Sequence, residues 1–174
     1  MEYLDVVDEL GNPTGQIVER KEAHKKGIRH RTSHVWLYHD GKVLVQKRSE
    51  DKDSYPGCYD ISSAGHIKAG TGYKVSAVRE LKEELGIEVS EDDLMPIGVT
   101  YSDSKNYFYG ELFHNVQVSQ VFLLDYYSNE FVIQKEELSE VKWIDLDELY
   151  KAVENNSIKN CIKLSELDMI YKYL

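Results

Sequence analysis

The chain is poor in cysteine, in net positive charge and in long apolar runs, and each shortage removes a class of function. Cys58 and Cys161 are its only cysteines. No Cys/Cys or Cys/His metal spacing exists, and a disulfide scaffold is excluded. Lys+Arg total 21 against 31 Asp+Glu, a formal charge of −10. General binding to a nucleic acid polymer or an anionic membrane needs the opposite sign. A small phosphorylated substrate remains compatible, because a few local cations or a metal suffice to hold it. No apolar run is long enough to span a bilayer. The segment Met1–Asp8 has neither the basic nor the apolar region of a signal peptide, so the expectation is a soluble cytoplasmic protein. No internal repeat, low-complexity segment or Pro/Gly/Ser linker interrupts the chain, and residues 1–174 read as a single domain.

Strand-like and helix-like segments alternate. Tyr3–Val7 reads as a strand, with Gly11–Gly15 as its turn and 16–19 as a returning partner. Residues 20–26 are helix formers closed by Gly27. Residues 32–39 and 42–48 form a hairpin around Asp40-Gly41. Residues 59–64 read as a short strand, 65–72 as a glycine-rich loop, and 73–85 as a helix ended by Gly86. Residues 94–101 and 112–125 read as strands joined by a polar, aromatic-rich loop. A short strand follows at 141–144, with helices at 146–154 and 165–173. Strands outnumber helices, and hairpins alternate with a few helices, which predicts a mixed sheet with helices packed on its faces.

The helix over 73–85 is the most informative segment. At about 100° per residue, Val78, Leu81 and Leu85 form one apolar stripe, while Glu80, Glu83 and Glu84 gather on the opposite side with Arg79 beside them. An acidic helix face is ordinarily just a solvated surface. Here like charges stand at i,i+3 and i,i+4, which is mildly repulsive, and they lie in the last two turns, where the helix dipole disfavours anions. A divalent cation turns that repulsion into coordination, and hard carboxylate oxygens suit Mg²⁺ or Mn²⁺. The preceding glycines let bare backbone approach a ligand.

Gly65, Thr71 and Arg79-Glu80-Leu81-Lys82-Glu83-Glu84-Leu85-Gly86-Ile87 resemble the Nudix box, G-x5-E-x7-R-E-U-x-E-E-x-G-U with U a bulky aliphatic, and match eight of its nine fixed positions. The departure is Thr71, where the family has Glu. The resemblance implies an α+β fold, an α/β/α sandwich with a mixed β-sheet between helices, and Mg²⁺-dependent cleavage of a diphosphate joined to another moiety, as in nucleotide derivatives. It implies metal ligands at Glu80, Glu83, Glu84 and the Gly65 carbonyl. Glu80 would be the favoured base and Arg79 would orient it. Thr71 is expected to cap the helix instead of ligating.

The likeness extends over roughly residues 4–147. Ala23-His24, Arg29-His30, the strand holding Trp36, Tyr55-Pro56-Gly57 and Ala64-Gly65-His66 resemble the isopentenyl-diphosphate isomerase branch of this superfamily. Those isomerases need a cysteine just before the Gly-His pair and a second metal site of three His and two Glu. This chain has Ala64 at the cysteine position. It keeps His24, His30 and His66, and it places Asn115 and Gln117 where the acids belong. Lacking the proton carriers, it reads as a hydrolase, with isomerisation disfavoured and a non-catalytic nucleotide sensor a third reading motivated by Thr71.

Of the remaining candidates, Arg29, Arg31, Lys47, Arg48 and His66 are read as substrate-phosphate ligands. Glu137, before the strand with Trp143, is read as an added catalytic carboxylate. His24 reads as a surface residue and His30 as phosphate ligand or solvated turn. His34, His39 and His114 belong to no motif. Tyr107, Phe108 and Tyr109 fit either nucleobase stacking or a homodimer contact, and both remain open.

Overall fold

A computed structural model describes residues 1–174. Strands β1 (Tyr3–Val7) and β2 (Pro13–Glu19) form a separate antiparallel hairpin that leads into the short helix α1 (Arg20–Lys26). The main sheet has seven strands: β3 (His30–His39), β4 (Lys42–Arg48), β5 (Tyr59–Asp60), β6 (Ser63–His66), β7 (Met95–Phe108), β8 (Glu111–Asp125) and β9 (Leu138–Asp145). The order runs β5-β4-β3-β8-β7, with β6 added on β3 and β9 on β4. The β3–β8 pair is parallel and the other pairs are antiparallel, so the sheet is mixed.

Period-two alternation sends the two halves of each central strand to opposite faces. Val35, Leu37, Leu44, Phe122 and Leu124 pack beneath helix α2 (Tyr73–Leu85), on its Ala77, Leu81 and Leu85 stripe. Trp36, Val43, Val45, Val121 and Leu123 face the other way, onto helices α3 (Leu146–Glu154) and α4 (Leu164–Tyr173) through Leu149, Leu167 and Ile170. This is a three-layer α/β/α arrangement. No helix is long and apolar enough to cross a membrane.

Two segments depart from expectation. The stretch read as a loop between 101 and 112 is instead the end of a long β7–β8 hairpin, closed by Tyr109 and Gly110 at φ 53° and 80°. Its residues alternate exposed and half-buried, but the half-buried set is polar from Ser102 to Asn106, so apolar periodicity is silent there. The strand expected over 59–64 is split into β5 and β6. Ser62 sits at the break: its hydroxyl donates to the Leu44 carbonyl at 2.5 Å and accepts the Leu37 N–H at 2.9 Å.

That break positions the site. β3 and β4 pair only at Tyr38↔Val43 and His39↔Lys42. Beyond those pairs the two strands part, β6 continuing beside β3 and β5 beside β4. A cavity of about 450 Å³ lies in the fork and reaches from α2 to α4.

Candidate active site

Helix α2 starts after Gly72 and ends at Gly86, whose φ of 70° lets its N–H close the last turn. Thr71 does not cap it. Its hydroxyl donates to the Lys68 carbonyl at 2.7 Å, and Gly72 is the N-cap. Thr71 also stands off the cavity wall.

The acidic side of α2 points into the fork, not into solvent. Glu84 is 6% exposed. The Ser63 hydroxyl donates to it at 2.7 Å, the Ala64 N–H at 3.2 Å and the Gln46 amide at 3.4 Å. Burial, and then the Glu80 charge, push the Glu84 carboxyl up to about 8. Burial raises Glu80 to about 7 against the pull of Arg79, with Glu83 adding to the rise. Arg79 lies 3.3 Å from Glu80 and 3.9 Å from Glu83, and donates to the His66 carbonyl at 3.4 Å. Gly65 packs against Glu80 so closely that a Cβ there would stand 2.4 Å from its carboxyl carbon. Glu83 is the most exposed of the three glutamates.

The donor set fits a hard divalent cation. Three carboxylates share one end of a cavity, two of them are raised by burial and mutual repulsion, and Arg79 is the only guanidinium paired with them. Extra positive charge at that point stabilises the ionised forms.

Among the other expected residues, Arg48, His66 and Glu137 reach the cavity. Arg48 is consumed by structure, donating to Asp60 at 3.2 Å and to the Ser54 carbonyl at 2.9 and 3.1 Å. Glu137 is ion-paired with Lys52. Arg29, Arg31 and Lys47 stand off the wall. Arg31 is buried on Asp5 and the Thr71 carbonyl, both at 2.9 Å, where it ties β1 to the loop before α2. Lys47 lies over the Tyr59 ring. Arg29 sits in the link from α1 to β3, its carbonyl taking the Val7 N–H at 3.1 Å.

His24, read as a surface residue, is buried. With His30 and His66 it offers three ring nitrogens within 4.8 Å of one another. His24 is depressed to about 3 by burial and then by His30, and burial lowers His30 and His66 as well. His30 Nδ1 meets the Ile28 carbonyl at 2.9 Å, while its buried Nε2 has no partner. Neutral imidazoles suit a borderline ion such as Zn²⁺ better than Mg²⁺.

Sequence reasoning missed His34, Lys163 and Glu166, which line the α4 end of the cavity. His34 shares the cavity face of β3 with Thr32, a placement that period two could have signalled. Glu166 is buried beside Leu167 and Ile170 on a helix that also carries Asp168 and Lys172, so it gives no local signal.

A NUDIX domain family model matches residues 28–163. The chain belongs to the Nudix family. It is 40% identical over 158 residues to Nudix hydrolase 3 of Arabidopsis thaliana, covering 84% of this chain but 20% of that protein, so it spans one-fifth of that relative's length. An uncharacterized Nudix hydrolase of Clostridium acetobutylicum is 36% identical over 165 residues, covering 88% of this chain and 75% of the relative. A crystal structure from Deinococcus radiodurans superposes with a TM-score of 0.69 at 17% identity, covering 96% and 98% of the two chains, and so shares the fold. Both curated relatives of this Nudix chain are named hydrolases. The glutamates at the α2 end of the cavity are those of its Nudix box.

Proposed function

We propose that residues 1–174 act as one Nudix domain that hydrolyses a diphosphate linkage in a nucleotide or related small substrate, using Mg²⁺ or Mn²⁺ held by Glu80, Glu83, Glu84 and the Gly65 carbonyl. The observation that carries this reading is the pair of buried carboxylates, Glu80 and Glu84, raised to about 7 and 8 at the end of a cavity. When bound, the cation neutralises the diphosphate oxygens and so favours attack at phosphorus. Glu80 is the base: it takes a proton from water as the water oxygen bonds to phosphorus and the bridging P–O bond breaks. Arg79 fixes the Glu80 carboxylate with a charge-assisted contact. Ser63, Ala64 and Gln46 hold Glu84 in place. Glu137, paired to Lys52, supplies a further carboxylate at the wall.

The test is a panel of nucleoside diphosphate derivatives with Mg²⁺ and product identification. Glu80→Gln is expected to lower kcat by about 10²–10⁴-fold, the usual range for a lost general base. Parent-level activity in Glu80→Gln, Glu83→Gln and Glu84→Gln together would refute the reading.

Isomerisation is disfavoured on the same wall. Ala64 lies there without a thiol, Cys58 does not reach the cavity, and the cysteine that does, Cys161, donates to the Tyr59 carbonyl at 3.7 Å and is not the residue before the Gly-His pair. Incubating the protein with isopentenyl diphosphate in deuterated water is expected to leave the substrate unlabelled by mass spectrometry. Label entering the carbon skeleton would reopen the isomerase assignment.

A further inference from the structure

Strand β7 is an edge of the main sheet, paired on one side only, to β8. No backbone group from Val99 to Phe108 bonds to the backbone of any other segment. A long open edge is a ready template for another strand, and proteins ordinarily blunt it with proline, a bulge or charge. Here the blunting is confined to the N-terminal end. Pro96 stands there, the register shifts between Pro96 and Gly98, and the Lys163 ammonium sits 3.4 Å from the Tyr101 carbonyl. From Ser102 to Phe108 there is no proline, no bulge and a single lysine.

Period two divides this stretch. Ser102, Ser104 and Asn106 are half-buried, and the two serines line the cavity. Tyr101, Asp103, Lys105 and Tyr107 take the other pleat and are exposed, the two tyrosines by 59% and 72%. Neither tyrosine reaches the cavity, so neither can stack on a base bound there. The charges are not spent within the chain. His114 Nε2 meets only Oδ1 of Asp103, at 2.8 Å, and Lys105 stands opposite His114 instead of an acid. About Ser104 as centre, the exposed pleat runs aromatic, acid, base, aromatic.

Two copies of β7 placed antiparallel about a two-fold axis at Ser104 extend the sheet through both molecules. A two-fold contact closes on itself instead of propagating. It sets Asp103 against the partner's Lys105, Lys105 against the partner's Asp103, and each Tyr101 against the partner's Tyr107. Opposite charges and aromatic pairs directly across a ladder are the favourable combinations. The neighbouring registers that keep each pleat on its own face centre on Asp103 or on Lys105. They bring like charges directly opposite, which is unfavourable, so the charge order selects one register. The strand also carries one acid and one base on a chain of formal charge −10, so along it two copies meet without net repulsion.

We propose that β7 is a self-association surface, joining two copies of this chain edge to edge across Tyr101–Tyr107 in the register centred on Ser104. The contact stands apart from the hydrolase reading and is tested without turnover. Sedimentation velocity is run over a concentration series that reaches the millimolar range, with amide hydrogen exchange at both ends of the series. At the upper end the parent protein is expected to sediment at twice the mass of one chain. Exchange at 102–108 is expected to slow there, while β2, another largely exposed strand, is unchanged. This comparison needs no variant to fold. Asp103→Lys and Lys105→Asp replace exposed side chains and are expected to keep the parent Tm within a few degrees. Each is expected to weaken self-association by roughly tenfold or more, because it turns both ion pairs into like-charge pairs. The double exchange Asp103→Lys/Lys105→Asp restores opposite charges in this register and is expected to recover most of the loss. A protein that stays monomeric throughout, or slowed exchange confined to another surface, would overturn the proposal. So would single exchanges that leave association unchanged, or a double exchange as weak as the singles. The first of these outcomes would leave the edge to a strand from a different protein.

Discussion

Stripped of divalent ions, the protein is expected to become less stable as pH rises from 5 to 8, and Mg²⁺ or Mn²⁺ is expected to restore the loss. Glu80 and Glu84 have an ordinary carboxyl value of 4.5 when unfolded and about 7 and 8 when folded. The folded state therefore holds protons that the unfolded state releases. The penalty is absent below about pH 4.5, grows as pH rises, and levels off above the folded values. For Glu80 alone it is on the order of 3 kcal/mol. In a chain of this length that corresponds to a fall of about 5–10 °C in Tm. Calorimetric melting in chelator and in excess Mg²⁺ at pH 5, 6, 7 and 8 checks it, with the two curves diverging as pH rises. Glu84→Gln keeps a neutral side chain of the same shape. It is expected to flatten the chelator curve and to weaken the stabilisation by Mg²⁺. A metal-free protein whose Tm climbs over this range would contradict the burial of the two carboxyls.

Gly65→Ala is expected to leave the fold intact and lower kcat/KM by about 100-fold. The added Cβ would stand 2.4 Å from the Glu80 carboxyl carbon and 2.6 Å from its Cγ. Glu80 must swing aside, away from the grip of Arg79 at 3.3 Å. A misplacement of about 1 Å in a reacting group costs on the order of 10² in rate. The strand around Gly65 is held by pairing with Ser33, which a methyl group does not disturb. Far-ultraviolet circular dichroism and Tm unchanged within a few degrees, with kcat reduced, is the expected pattern. Full activity in Gly65→Ala would show that the position of Glu80 is not critical.

Helix α2 was legible down to its ends, because everything that fixes it is local. Gly72 and Gly86 bracket it, and one apolar stripe repeats with the helical period. The same periodicity separated the glutamates from the core-facing stripe. It did not reveal that Glu84 is buried, because burial of that side depends on β6 and β4, which supply Ser63, Ala64 and Gln46. The cations show the limit from the other direction. Arg31 reads as a phosphate ligand by its charge, yet it is spent on Asp5 and the Thr71 carbonyl. Lys163, which belongs to no motif, faces the cavity from near the C-terminal helix.

By itself the sequence determined the sheet-and-helix alternation, the bounds of α2 and the grouping of three carboxylates on one side of it, since backbone preferences, capping glycines and helical period act within a few residues. Only the tertiary structure decided that β3 and β4 part to open a cavity, that three histidines converge beside it, and that His34 meets Glu166 across 132 positions. Those are pairings between distant segments, fixed by strand register and layer packing, and no local pattern encodes which distant side chain will stand opposite.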